Sequence, residues 1–113
     1  MFTKIEAIIR PFKLKELKKK LTDNGIPGMT ITNVMGFGKQ DNDTERYKGS
    51  EYNCEFIEKV KIEIIANNQD LEKLINLIIE SCWTGEIGDG KIFISSISNI
   101  IRIRNKDQDH NAL

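Results

Sequence analysis

A chain of 113 residues has the length of one ordinary domain, and its 17 basic and 17 acidic side chains cancel to a formal net charge of zero. That balance argues against a dedicated nucleic-acid surface, which carries a basic excess, and apolar runs of only a few residues leave no membrane span. With 39% hydrophobic and 30% charged residues, the composition suits a globular domain with its own core.

Phe2–Arg10 alternates, with Ile5, Ala7 and Ile9 on one face and Lys4, Glu6 and Ile8 on the other, the pattern of a strand with one buried side. Pro11 stops it. Lys13–Asn24 sets Leu14, Leu17 and Leu21 at helical spacing, and Gly25 stands where a left-handed cap belongs. Ile26–Phe37 reads as a second strand. Residues 37–55 form a long polar connection, of the length that usually carries function. Cys54–Ala66 alternates again. Leu71, Leu74, Ile75, Ile78, Ile79 and Cys82 mark the clearest helix, and Lys91–Ser95 another strand. Ile97–Arg104 predicts a short terminal strand, and residues 105–113 a frayed, flexible tail. The order is that of a single α+β domain, a ferredoxin-like βαββαβ (split βαβ) sandwich with a long loop between strands 2 and 3. Ile8 and Ile65 on the uncovered sheet face suggest partial cover by a partner chain.

Residues 84–91, Thr-Gly-Glu-Ile-Gly-Asp-Gly-Lys, have the composition of a phosphate cradle, since glycines let backbone N–H groups converge on an anion. Gly85, Gly90 and Lys91 satisfy the spacing of a nucleotide P-loop. Ile92, however, replaces the Ser or Thr that would hold magnesium, and the loop runs from helix to strand instead of strand to helix. The segment reads either as a phosphate loop outside the P-loop hydrolases or as a glycine-rich turn. Arg102 and Arg104, two apart on the predicted strand, suit a polyphosphate or are solvated charges on an edge. Gly36 and Gly38 interrupt the second strand, while Lys59 stands at the other foot of the long loop. The feet Gly36–Gln40 and Phe56–Lys59 are expected to be neighbours, near the glycine loop. Ser50 and Tyr52 carry loop hydroxyls that a modifying enzyme could reach. Cys54 and Cys82 lack metal-ligand spacing and read as free thiols, Trp83 as a packing residue or pocket wall, and His110 as solvated. No serine–histidine–acid set or carboxylate pair stands out, which weakens any enzyme reading.

Glu6-Ala7-Ile8-Ile9-Arg10-Pro11-Phe12, Gly28-Met29-Thr30, Gly36-Phe37-Gly38, Tyr47-Lys48-Gly49-Ser50-Glu51-Tyr52, Thr84–Ile94 and Ile101-Arg102-Ile103-Arg104 together resemble the PII signal-transduction proteins. These are nitrogen and carbon sensors of bacteria, archaea and plastids, and the loop is most similar to the cyanobacterial and red-algal plastid branch. The resemblance implies a homotrimer that binds ATP or ADP in clefts between subunits. Gly36, Gly38 and Gln40 would line one side, and Gly88, Asp89, Gly90, Lys91, Arg102 and Arg104 would hold the phosphates. Thr30, Glu63 and Ile65 would lie near adenine and ribose. It further implies that Gln40 positions Mg2+, that 2-oxoglutarate chelates this metal, and that Lys59 pairs with the distal carboxylate. Ser50 matches the phosphorylation position of one branch, and Tyr52, as the lesser candidate, the uridylylation position of another.

The implied role is regulation of nitrogen assimilation through the loop, with N-acetylglutamate kinase or other nitrogen-metabolism proteins as partners and neither direct nucleic-acid binding nor membrane insertion. A nucleotide-hydrolysing enzyme using the glycine loop is the alternative. Asp41-Asn42 departs from the usual lysine and glycine next to the 2-oxo acid, Lys39 and Lys48 replace arginines, and Trp83 stands where a basic residue is common. Abundant isoleucine, lysine and asparagine, with no transit segment expected, point to a chloroplast-encoded protein of the plastid stroma ahead of a cyanobacterial cytoplasm.

Overall fold

The structure is a computed structural model and describes residues 1–39 and 54–113. Its elements are β1 (Phe2–Ile9), α1 (Leu14–Asp23), β2 (Thr30–Lys39), β3 (Cys54–Asn67), α2 (Leu71–Cys82) and β4 (Lys91–Ile97). They form one antiparallel sheet in the order β2-β3-β1-β4, the ferredoxin-like arrangement expected from the element order. Both helices pack on one face. The core joins Ile5, Ala7 and Ile9 of β1 and Val60, Ile62, Ile64 and Ala66 of β3 with Leu17, Leu21, Leu74, Ile78 and Cys82 of the helices. The period-2 alternation of β1 and β3 is what delivers these side chains to a single face.

Local chemistry sets the element ends. Pro11 opens a 3-10 turn, Pro11–Lys13, that leads into α1. At the other end, Ile26 donates to Leu21 O at 3.0 Å and Gly25 to Thr22 O at 3.1 Å. With Gly25 at φ 81°, this is a Schellman cap. β2 starts at Thr30 and not at Ile26, because Pro27 has no N–H to give a sheet. Ile26 and Met29 still pack against the core from the connection. In α2 the buried stripe is Leu74, Ile78, Ser81 and Cys82, rotated from the expected one, and Ile79 is exposed. Ser81 enters the core because its hydroxyl donates to Leu77 O at 2.8 Å. Cys82 is a free thiol, pushed up to about 11 by its burial.

The terminal strand expected over Ile97–Arg104 does not form. β4 ends at Ile97, and Ile101 makes an isolated bridge to Gln108. Between them the chain turns back: Lys106 N–H donates to Arg102 O, and Arg102 N–H to Asp107 O, each at 2.8 Å. The Asn105 side chain also accepts from Asp107 N–H at 3.0 Å. Asx-type turn chemistry overrides the alternation here. Residues 105–113, expected to fray, instead carry a 3-10 helix, Asp109–Ala112, and set His110 edge-on against Phe2 at 5.0 Å between ring centroids.

The sheet face away from the helices carries an ion-pair chain. Lys4 Nζ lies 2.9 Å from Glu63 and 3.8 Å from Glu6, and Lys61 lies 3.6 Å from Glu6.

Candidate functional site

A cleft of about 440 Å3 opens where β2, β3 and the start of β4 meet the segment after α2, lined by Gly36, Phe37, Ile57, Lys59 and the residues from Glu86 to Lys91. β3 brings Lys59 there because it stands opposite Val34 on β2, while Ile57 stands opposite Gly36. Lys59 Nζ donates to Gly88 O at 2.7 Å. Burial pulls its ammonium below the usual lysine range, and the nearby Arg10 guanidinium adds to the effect.

The glycine loop has an inner and an outer half. Asp89 turns its carboxylate inward, where one oxygen accepts from Thr84 N–H at 2.8 Å and Gly85 N–H at 2.9 Å. Glu86 N–H donates to Thr84 Oγ1 at 3.1 Å. The Thr84 hydroxyl and N–H, with Gly85 and Arg10, hold the Asp89 carboxyl far below the usual carboxylate range. By contrast, Asp89 N–H closes a turn over Ile87 and Gly88, and the N–H groups of Ile87, Gly88 and Gly90 have no hydrogen bond to another described residue. Consecutive free N–H groups in a tight loop are the donor set of an anion nest. Gly90 is fixed by close approach, since a Cβ there would stand 1.8 Å from Ile8 O. Ile92, at the position where a P-loop needs a hydroxyl, packs against the core.

The sequence-derived residues fall into two groups. Gly36, Lys59, Gly88, Asp89, Gly90 and Lys91 share the cleft. Gly38 lies further along β2, opposite Glu55, and Gln40, Asp41, Asn42, Lys48, Ser50 and Tyr52 lie outside the described residues. Thr30 and Glu63 face each other across β2 and β3, and Ile65 stands opposite Lys4, towards the start of β1. Glu63 is engaged in the Lys4 ion pair, whose hydrogen bond holds its carboxyl below the usual value. Arg102 and Arg104 belong to the C-terminal turn, which docks beside Phe2 through His110. Arg102 lies 3.6 Å from Asp107. Because Lys91 pairs with Ile8 and Ile97 with Phe2, the glycine loop and the arginine-bearing turn sit at opposite ends of β4, about 20 Å apart at ~3.3 Å per residue, while Thr30 and Glu63 lie between them, with Glu63 opposite Glu6. One chain does not bring its arginines to its own glycine loop.

Sequence reasoning passed over Arg10 as a site residue. It follows β1 directly and donates to Thr84 Oγ1 at 2.8 Å, to Ile87 O at 2.7 Å and to the Asp89 carboxylate. The available signal was a lone charge closing a strand just before a proline, which by itself names no partner. Trp83, two-thirds exposed, lies over the loop: a Cβ on Gly85 would meet its ring at 3.0 Å. It also walls a small apolar cavity of about 220 Å3 with Ile9, Ile78, Ile79, Cys82 and Ile92. Among the described residues no group of His, Cys, Asp and Glu could hold a metal ion, and no helix is long and apolar enough to cross a membrane.

Comparison with known proteins gives this geometry its context. The family model for nitrogen regulatory protein P-II matches residues 2–107. The nitrogen regulatory protein P-II of Cyanidium caldarium is 59% identical over 113 residues, covering 100% of both chains. That of Synechocystis is 50% identical over 110 residues, 97% of this chain and 98% of the other. A crystal structure of Arabidopsis thaliana PII bound to citrate superposes with a TM-score of 0.81 at 38% identity, covering 99% of this chain and 92% of that one. The fold, the cleft and these likenesses agree, and the chain belongs to the P-II family of nitrogen regulatory proteins.

Proposed function

We propose that this chain reports nitrogen and carbon status by binding ATP or ADP in clefts between the subunits of a homotrimer, with Mg2+ and 2-oxoglutarate joining ATP. The observation that carries this is the split of the site. The glycine loop offers the backbone N–H groups of Ile87, Gly88 and Gly90, which have no acceptor among the described residues, beside Lys91, while Arg102 and Arg104 sit at the far end of the same sheet. A neighbouring copy would present its two arginines, together with Thr30, Glu63 and Ile65, to this loop. Arg102 would exchange its Asp107 contact for a phosphate, while the Asp89 carboxylate stays in the loop.

Mg2+ would accompany the nucleotide, held by phosphate oxygens and Gln40, a hard cation on oxygen ligands. Gly36 and Gly38 leave room beside it. Lys59, at the bottom of the cleft, supplies the cation for the distal carboxylate of 2-oxoglutarate. The citrate bound to the Arabidopsis relative supports a role for small carboxylates in this fold. Ligand occupancy would then set the loop at 40–53, which would dock on N-acetylglutamate kinase or another nitrogen-metabolism protein. Phosphate added at Ser50, or a uridylyl group at Tyr52, would change the charge of that docking surface. The plastid stroma, or a cyanobacterial cytoplasm, is the compartment this role fits.

Calorimetric titration tests the reading. ATP is expected to bind, and 2-oxoglutarate to bind only once Mg-ATP is present. In Arg102→Ala/Arg104→Ala the ATP affinity is expected to fall at least tenfold, about 1.4 kcal/mol or more. Unchanged affinity in that double variant rules out the phosphate clamp. Steady ATP turnover well above background would favour a hydrolase instead.

A further inference from the structure

We propose that Arg10 is the positioning residue of the glycine loop: its guanidinium, paired with Asp89, sets the path of residues 84–91 so that the outer N–H groups face an anion that Arg10 itself does not touch. The inference rests on the reading of this loop as an anion site. The geometry is that of a loop wound around one side chain. The planar fork reaches three separate places, the Thr84 hydroxyl at 2.8 Å, the Ile87 carbonyl at 2.7 Å and the Asp89 carboxylate. Asp89 passes the constraint on by gathering the N–H groups of Thr84 and Gly85. Gly88 lies flat against the guanidinium, where a Cβ would stand 3.0 Å from Nη2. The N–H groups of 84–86 are thereby used within the loop and those of Ile87, Gly88 and Gly90 left without a partner among the described residues, a division that glycine content alone does not dictate. Arg10 and Asp89 are mostly enclosed, with 20% and 23% of their side chains exposed, which leaves the guanidinium little surface for a ligand. Lysine cannot replace it, because one ammonium has no rigid fork to span three acceptors.

The test uses the full chain with Arg10→Lys and Arg10→Ala. In ligand-free protein, hydrogen exchange at the Thr84 and Gly85 amides is read by NMR, with Trp83 fluorescence as a second report on the loop. ATP affinity is then measured by calorimetry at several salt concentrations. Both variants are expected to speed loop exchange at least tenfold and to weaken ATP at least tenfold, with the salt dependence of binding unchanged. Wild-type exchange and affinity in Arg10→Lys would overturn the proposal. So would a shallower salt dependence, which would mean that Arg10 meets the phosphates directly. If wild-type protein fails to bind ATP, the nucleotide reading falls, and the exchange rates alone decide for or against the positioning role. Should the position-10 variants not fold, Asp89→Asn takes their place. It keeps the shape and loses the charge, and it is expected to speed exchange at the same two amides; unchanged exchange there overturns the proposal.

Discussion

Single residues in this protein are constrained by what lies a few ångströms away, and the glycines show how different the reasons can be. At Gly90 the φ of 105° and the absent Cβ are both required, because the Ile8 carbonyl occupies the place where a side chain would start. Gly90→Ala is therefore expected to lose roughly 3–5 kcal/mol, combining left-handed strain with a backbone clash, as read from urea unfolding. A loss under about 1 kcal/mol would show that β1 and the loop can separate cheaply. Lys59 shows a different constraint. Its ammonium is poised between a carbonyl of the loop and open cleft, so an arriving carboxylate competes with a neutral acceptor and not with an existing ion pair. The ammonium's bond to the carbonyl is already charge-assisted, and a carboxylate acceptor would add the attraction of a second full charge, which favours the exchange.

Among the elements, the sequence was most legible where one periodicity acted alone. The alternation of β1 and β3 and the spacing of α2 located those elements to within a residue or so, because burial on one face leaves a clean period. Legibility failed where local polar chemistry competed. Ser81 hides its hydroxyl on its own helix and enters the core, displacing Ile79 to the surface, an outcome no hydropathy pattern signals. In the C-terminal turn, Asn105 and Asp107 close on each other and break a stretch that reads as a strand. The glycine loop was legible in its composition, and Gly88, Asp89, Gly90 and Lys91 do line one cleft. The inward role of the Asp89 carboxylate and its dependence on Arg10 were hidden by 79 residues of separation. The Schellman cap of α1 is the simpler, local case. At Gly25 nothing lies within 4 Å of the place a Cβ would take, so Gly25→Ala carries only the left-handed penalty. It is expected to lower stability by about 1 kcal/mol in the same urea assay; a loss as large as that of Gly90→Ala would mean that the cap also packs.

For the whole molecule, the decisive fact is polarity: one end of the sheet holds the loop and the other holds the arginines. Side chains such as Phe93, Ile101 and Ile103 are exposed on the single chain, which would suit the subunit contacts proposed above. If the proposed clefts span subunits, two defective chains should repair each other. Lys91→Ala and Arg102→Ala/Arg104→Ala, each weak alone, are expected to regain ATP binding when unfolded together and reassembled. With random mixing about a quarter of the clefts join a sound loop to sound arginines. No recovery in trimers shown to be mixed would place each site within one subunit.

The Arg10–Asp89 pair has a consequence for synthesis as well. Arg10 emerges from the ribosome early, whereas its partner follows 79 residues later, with β4 still to come. The first strand must wait for nearly the whole chain before its last side chain finds its place. A product terminated before Asp89 would thus carry β1, both helices and residues 40–53 and yet lack the pair that organises residues 84–91. Only chains that extend past Asp89 could form it, a form of quality control written into the distance between two residues.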